Sequence, residues 1–135
     1  MNHLQRYDAW LKNATADPEI VKELRMIRGD DAEIQDRFYR ELEFGTGGLR
    51  GVLGAGTNRM NVYTVAKATQ GLSNYINHNF AQPRVALAYD SRINSKLFAL
   101  TAARIFAAND IQVYVYPTLM PTPALSFAVR DLHCA

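Results

Sequence analysis

Apolar residues recur at every third or fourth position through the first forty residues, a spacing that predicts three short amphipathic helices. The three apolar stripes are Leu4, Tyr7 and Leu11, then Ile20, Leu24 and Ile27, then Ile34, Phe38 and Leu42. Asp17 followed by Pro18 predicts the start of the second helix, and Gly29 predicts its end. Asp30, with Glu33 three positions later, predicts a capping box that opens the third helix. We interpret all three stripes as packing faces.

Beyond a glycine-rich segment, the pattern alternates between helices and strands. The predicted elements are a helix over 62–80, a strand over 84–89, a helix from Asn94 or Ser95 to about Asn109, a strand over 111–116 and a helix over 122–130. The first of these helices carries one face made of Val62, Val65, Ala66, Thr69, Leu72, Ser73, Ile76 and Phe80. Such alternation implies parallel strands with helices packed on both faces of the sheet.

The segment EFGTGGLRGVLGAGTNRM, residues 43–60, contains six of the eight glycines of the chain. Because ordering glycine is costly in entropy, a cluster indicates positive φ angles or a close approach of the backbone to a ligand. Exposed N–H groups here can hold an oxyanion, although the P-loop ending and the third glycine of the dinucleotide fingerprint are both missing. A ligand-contacting loop and a structural double turn therefore both stay open, and Arg50 and Arg59 favour the former slightly.

Ligands of open α/β sheets collect at the carboxyl ends of the strands. This rule places Asp90, Ser91 and Arg92 at the functional edge, together with residues 117–122. Residues 49–53 would join them if they formed a further strand. Since Asp-Ser is also common turn chemistry, we favour structural support of a neighbouring loop as the role of Asp90 and Arg92.

Length and composition place the chain among ordinary globular proteins. Its 135 residues fit one domain, and 48% hydrophobic with 21% charged residues is typical of a soluble protein. The formal net charge of +2 is too balanced for a nucleic-acid partner, which a clustered basic face would indicate. Eleven of the 15 basic residues are arginine, the side chain best suited to planar oxyanions, but composition alone favours a simple surface charge preference as the explanation.

The cellular compartment is predicted from what the sequence lacks. Cys134 is the only cysteine, so an internal disulfide is excluded and a reducing compartment is expected. The start MNHLQRYDAW does not resemble a secretory signal, and no apolar run approaches the roughly 18 residues that cross a bilayer. We predict a cytoplasmic protein with no membrane partner.

Nucleophiles and metal ligands are not indicated by any spacing. The three histidines and the single cysteine lack metal-ligand spacing. The serines considered as nucleophiles have no histidine placed to activate them: Ser73, Ser91, Ser95 and Ser126. We therefore assign no catalytic residue and no metal ligand within the chain.

Four segments taken together resemble the N-terminal domain of the α-D-phosphohexomutases, in particular the branch of phosphoglucomutases and phosphopentomutases. They are EFGTGGLRG, GTNRMN, AYDSR and PTLMPTPALSFAVR, and the resemblance covers residues 40–135 in the family's order. It implies an α/β fold: a three-layer α/β/α sandwich with a mixed, mostly parallel sheet, preceded by N-terminal helices. The implied boundaries are a helical extension over 1–43 and domain I over 44–135.

The resemblance also implies a function. Family members are four-domain enzymes that move a phosphoryl group between sugar hydroxyls, as from glucose 1-phosphate to glucose 6-phosphate, through a phosphoserine and Mg²⁺. Arg50 matches an arginine that points toward the phosphates, so Arg50, Gly48 and Arg59 are expected to bind phosphate, with Asp90 and Arg92 supporting the site. For Arg59 the alternative is a structural role, in which its side chain stabilises the turn that contains it.

The family's phosphoserine loop follows the segment that matches LSFAVRDLHCA, so we expect a fragment that is truncated before this loop and inactive alone. Its expected partners are a phosphosugar and the remaining domains of the same polypeptide, with Mg²⁺ bound only in the full-length parent. A stand-alone phosphosugar-binding or regulatory module is the alternative, and a partner that completes a split enzyme is a third. An unpaired sheet edge also predicts self-association.

Overall fold

A computed structural model describes residues 2–45, 48–49, 51–89 and 94–115, without the side chains of residues 44, 45, 48 and 49. The chain divides into two compact units, Met1–Thr64 and Val65–Ala135. In chain order the described elements are α1 (His3–Asn13), α2 (Pro18–Met26), α3 (Asp31–Phe38), β1 (Phe44–Gly45), β2 (Gly48–Leu49), α4 (Val62–Asn79), β3 (Arg84–Leu87), α5 (Ser95–Ala108) and β4 (Gln112–Val115).

The three N-terminal helices are confirmed, and local capping explains where they begin. Asp17 is the N-cap of α2 and accepts the N–H of Glu19, with Pro18 in the first turn. Asp30 accepts the N–H of Glu33 at the start of α3. The Glu33 carboxylate pairs with Arg37 rather than with the cap backbone, so only half of the predicted capping box has formed.

The third helix ends at Phe38, which corrects the prediction that its apolar stripe continues to Leu42. Beyond Phe38 the backbone is bonded to a later turn instead of to its own helix. The N–H of Leu42 donates to the carbonyl of Thr57 at 2.9 Å, and the Thr57 hydroxyl donates to the carbonyl of Arg40 at 2.7 Å. These long-range bonds satisfy groups that a longer α3 would otherwise have used.

The first unit has its own hydrophobic core, centred on Phe38 at 0% exposure. The rings of Tyr7 and Trp10 meet Phe38 edge-on, with centroids 5.9 and 5.6 Å away. The other buried core residues are Ala14, Ile20, Leu24, Ile27, Ile34 and Ala55. Ala55 comes from the glycine-rich segment, so this part of the segment packs into the same core as the helices.

The described part of the glycine-rich segment does not add a strand to the parallel sheet. β2 pairs antiparallel with β1, with Gly48 opposite Gly45, and Leu53 forms an isolated bridge with Met60. The N–H of Met60 donates to the carbonyl of Val52 at 2.8 Å, so the chain folds back on itself here. Of the conditional strand over 49–53, Leu49 belongs to β2, residues 51 and 52 lie in no strand, and Arg50 lies outside the described residues.

The second unit contains the predicted helix–strand alternation. β3 and β4 are parallel, from Arg84 opposite Gln112 to Leu87 opposite Val115. The core beside them is formed by Ile76, Val85, Phe106 and Ile111. An α/β unit with parallel strands is thus confirmed.

The buried stripe of α4 is narrower than predicted. It consists of Val65, Thr69, Ser73 and Ile76. Leu72 and Phe80, assigned to the same face, are 47% and 45% exposed. In α5 the N-cap position belongs to Asn94, which has a φ of 65° and forms no side-chain capping bond.

The predicted helix over 122–130 lies outside the described residues, as does the 117–122 segment. Within the ranges given above, no helix is both long enough and apolar enough to span a bilayer.

Candidate functional site

The second half of the glycine-rich segment is anchored on the preceding helices through Ala55. Its N–H donates to Oε2 of Glu23 at 2.6 Å, and its carbonyl accepts from Nη1 of Arg37 at 3.1 Å. The Ala55 side chain is completely buried. We call Glu23, Arg37 and Ala55 together the Ala55 clamp. It fixes one short piece of loop by both of its backbone polar groups and by its methyl group.

Arg37 is the centre of this clamp because it also binds two carboxylates. Its Nη1 lies 2.9 Å from Oε2 of Glu23, and its Nε lies 2.8 Å from Oε1 of Glu33. Burial lowers the pKa of the Arg37 guanidinium, but the hydrogen bonds and charges of Glu33 and Glu23 outweigh it, so this pKa is raised above its ordinary value. The clamp therefore holds a permanently charged group at physiological pH.

Glycine is required on both sides of Ala55. Gly54 and Gly56 have φ angles of 146° and 131°, which side chains rarely adopt. A Cβ on Gly54 would lie 3.0 Å from Nη1 of Arg37, and one on Gly56 would lie 2.6 Å from the Arg37 carbonyl oxygen. For this half of the segment, the structural double turn is the interpretation that the contacts support.

Asn61 closes the turn and starts α4. Its Nδ2 donates to the carbonyls of Gly54 and Gly56 at 2.8 and 3.0 Å. Its Oδ1 accepts the N–H groups of Tyr63 and Thr64, both at 3.0 Å, as an N-cap side chain does. One buried amide thus couples the loop to the helix that follows it.

Arg59 is also built into this turn. It is 8% exposed, and its guanidinium donates to the Asp36 carboxylate and, at 3.1 Å, to the carbonyl of Asn58. The N–H of Asn58 donates to the carbonyl of Arg37 at 2.9 Å. These contacts support the alternative in which Arg59 ties its own turn together, while a phosphate contact by Arg59 stays a prediction.

A double-mutant cycle tests the structural role of Arg59. We expect Arg59→Gln and Asp36→Asn to couple by about 0.5–1 kcal/mol in the free energy of unfolding. The value is small because the Asp36 side chain is 61% exposed and its charge is well solvated. Urea titrations of the two single variants and the double variant measure it. Strictly additive effects would show that the pair contributes nothing to stability.

Of the other predicted site residues, Gly48 alone lies in the described part of the chain. Gly48 lies in β2, opposite Gly45. Arg50 follows β2 directly in the sequence, but Arg50, Asp90 and Arg92 lie outside the described residues. Their joint contact with a phosphate therefore stays a prediction.

Metal-ligating side chains are not clustered in the described part of the chain. No three His, Cys, Asp or Glu side chains there come close enough to hold a metal ion. The carboxylates of Glu23 and Glu33 are instead engaged by Arg37. The binding of Mg²⁺ in the full-length parent stays a prediction.

Comparison with known families decides what this loop belongs to. The family model described as phosphoglucomutase/phosphomannomutase, alpha/beta/alpha domain I, matches residues 41–135. The chain belongs to this family. The resemblance first seen in four short segments is thereby confirmed. Because the family match begins at residue 41, the helices that carry Glu23 and Arg37 precede it.

Two relatives show what share of the length of a phosphoglucomutase this chain matches. A phosphoglucomutase of Staphylococcus epidermidis is 44% identical over 100 residues, which are 74% of this chain and 18% of that protein. One of Staphylococcus aureus is 37% identical over 126 residues, 93% of this chain and 22% of that protein. The chain thus spans about a fifth of the length of these curated relatives. No solved structure matches it.

Sequence reasoning missed the residues that hold the domain I loop. Asn61 was detectable, because an asparagine directly before an apolar-periodic run is an N-cap signal. The Glu33–Arg37 pair was detectable from its spacing of four. Glu23 gave no signal, because its contact with Ala55 joins positions 32 residues apart.

Proposed function

We propose that this chain is the N-terminal domain of a phosphohexomutase of the phosphoglucomutase type. In the complete protein, a phosphoryl group would move between glucose 1-phosphate and glucose 6-phosphate through a phosphoserine, with Mg²⁺ supplied by other domains. The chain alone would not turn over substrate. The observation that carries this proposal is the domain I match over residues 41–135, together with 44% identity to a phosphoglucomutase.

The part assigned to this chain is the positioning of positive charge. Phosphoryl transfer depends mainly on orientation and on electrostatic stabilisation of the transferred group. A guanidinium suits that task because its planar donors match two phosphate oxygens at once. We assign this role to Arg50, with the backbone of Gly48 nearby and Asp90 and Arg92 supporting the loops. Arg59, being buried against Asp36, is the weaker phosphate candidate.

Several finer features belong to the same proposal. We propose that the complete domain over 44–135 is a three-layer α/β/α sandwich with a mixed, mostly parallel sheet. The parallel pair of β3 and β4 and the family description support this arrangement. We also propose a cytoplasmic location, with a phosphosugar and the remaining domains of the polypeptide as partners, and self-association of the isolated chain through a sheet edge.

The function is tested by placing this chain in an enzyme. It would replace the matching segment of the Staphylococcus epidermidis phosphoglucomutase, and turnover of glucose 1-phosphate would be measured. We expect an active chimera in which Arg50→Ala loses about 1.5–3 kcal/mol of phosphate interaction, which is about ten- to 150-fold in activity. Loss of a charged hydrogen bond to phosphate is the physical reason.

Arg104→Ala is the matched control, because Arg104 is an exposed arginine on α5. It should leave turnover unchanged. Equal activity of the Arg50→Ala and control chimeras would show that Arg50 does not bind the phosphate. An inactive chimera, combined with phosphosugar binding by the isolated chain, would instead favour the stand-alone binding module.

A further inference from the structure

The turn over residues 51–63 lies within the family match, yet many of its bonds lead back to the N-terminal helices. The Ala55 clamp holds the middle of the turn against α2 and α3. Farther along, the side-chain amide of Asn58 donates to the carbonyl of Asp36 at 3.1 Å, and its N–H donates to the carbonyl of Arg37 at 2.9 Å. The turn is therefore fastened to helices that precede the family match.

The end of the turn is fastened in the same way. The ring of Tyr63 meets that of Trp10 with centroids 5.3 Å apart, and the Tyr63 hydroxyl accepts the N–H of Ala16 at 2.9 Å. Tyr63 also packs against the buried cluster that contains Ala55, whereas the second unit has a separate cluster. The first compact unit accordingly ends at Thr64, inside the family match and not where that match begins.

We propose that the N-terminal helices and this turn open and close as one cooperative unit, Met1–Thr64, while Val65–Ala135 opens separately. The first part of domain I would then take its conformation from the helical extension and not from the parallel strands. Opening of this unit releases the glycine-rich turn together with the helices, and the pairing of β3 with β4 stays intact. The inference does not depend on phosphate binding.

Cooperativity follows from the cost of opening either part alone. Detaching the turn leaves a cavity in place of the buried Ala55 methyl group and takes one hydrogen-bond partner from Glu23 and one from Arg37. Unfolding the helices alone removes the acceptor of the Ala55 N–H. The turn does not hold itself, because Gly54 and Gly56 gain much backbone entropy on release. Each half-open state is costly, so both parts are expected to open together.

Amide hydrogen exchange of the 135-residue chain, followed by NMR at increasing urea below the unfolding transition, tests the inference. The urea makes the opening of whole units dominate over local fluctuations. Two matched substitutions each remove one methyl group from one core: Ile34→Val in the first unit and Ile111→Val in the second. These positions are 2% and 3% exposed. Each substitution should speed exchange by about two- to tenfold throughout the unit that it destabilises.

The two variants should give opposite patterns. Ile34→Val should speed exchange of the turn N–H of Ala55 by the same factor as that of Ile27 at the end of α2, with the N–H groups that pair β3 with β4 unchanged. Ile111→Val should speed the exchange of the strand N–H groups and leave the Ala55 and Ile27 values as they are. This pattern establishes that the turn belongs to the unit of the helices.

Three results would overturn the inference. If the Ala55 N–H responds to Ile111→Val alone, the turn belongs to the unit with the parallel strands. If it responds equally to both substitutions, the whole chain is a single cooperative unit. If it responds to neither, the turn opens locally without the helices. Failure of the proposed function, as in an inactive chimera, leaves all of these exchange rates unaffected.

Discussion

Replacing Gly56 with alanine is expected to lower the free energy of unfolding of the first unit by about 3–5 kcal/mol. A Cβ at this position would lie 2.6 Å from the carbonyl oxygen of Arg37 and 2.8 Å from its Cβ. The φ angle of 131° adds backbone strain. The carbonyl cannot move aside freely, because it accepts the N–H of Asn58 at 2.9 Å.

Trp10 makes this loss measurable, since it is the only tryptophan and packs, partly buried, against the core of the first unit. Its fluorescence during urea unfolding should shift to a much lower midpoint in Gly56→Ala. Gly71→Ala is the control: an added Cβ there meets nothing within 4 Å, inside helix α4. The control should instead stabilise its helix, by about 0.5–1 kcal/mol. An unchanged Trp10 transition in Gly56→Ala would contradict the close approach to Arg37.

The second large effect is expected for Phe38→Ala, at about 3–5 kcal/mol. Phe38 is 0% exposed, and its ring meets those of Tyr7 and Trp10 edge-on. Removing it leaves a cavity at the end of α3, next to the turn that redirects the chain toward the glycine-rich segment. Loss of the aromatic contact should also change the emission of Trp10 in the folded state.

The control for this substitution is Phe80→Ala, because Phe80 is 45% exposed after the end of α4. Its expected effect stays within about 0.5 kcal/mol. Urea unfolding monitored by circular dichroism compares the two variants under identical conditions. Similar losses at both positions would mean that burial of Phe38 does not govern the stability of the first unit.

Local chemistry in the sequence was sufficient to predict the three N-terminal helices and the described helices and strands of the second unit, but not the pairing of β1 with β2. Asp17 and Pro18 fix the start of α2 within one turn of chain, and the β-branched run at 111–116 needs only its own residues to indicate a strand. The prediction failed where distant partners decided the outcome. Leu42 fits the stripe of α3, but its N–H bonds to Thr57, and no periodicity reveals that competition.

The same distinction applies to the candidate site. Arg50 was found through matching segments, which carry information from a whole family in a few residues. For Arg59 the sequence left phosphate binding and a structural role both open, and its ion pair with Asp36, 23 positions earlier, supports the structural role. Glu23 lacked any motif, because its significance arises when Ala55 is brought against it by folding.

The Ala55 clamp has a consequence for recombination between related genes. A crossover near codon 41, where the family match begins, would join the glycine-rich segment of one parent to helices from another. Ala55 would then face whatever side chains the second parent carries at positions 23 and 37. A crossover after Thr64, where the first compact unit ends, keeps Ala55 together with the Glu23 and Arg37 of the same parent. Functional recombinants should therefore accumulate at the later breakpoint.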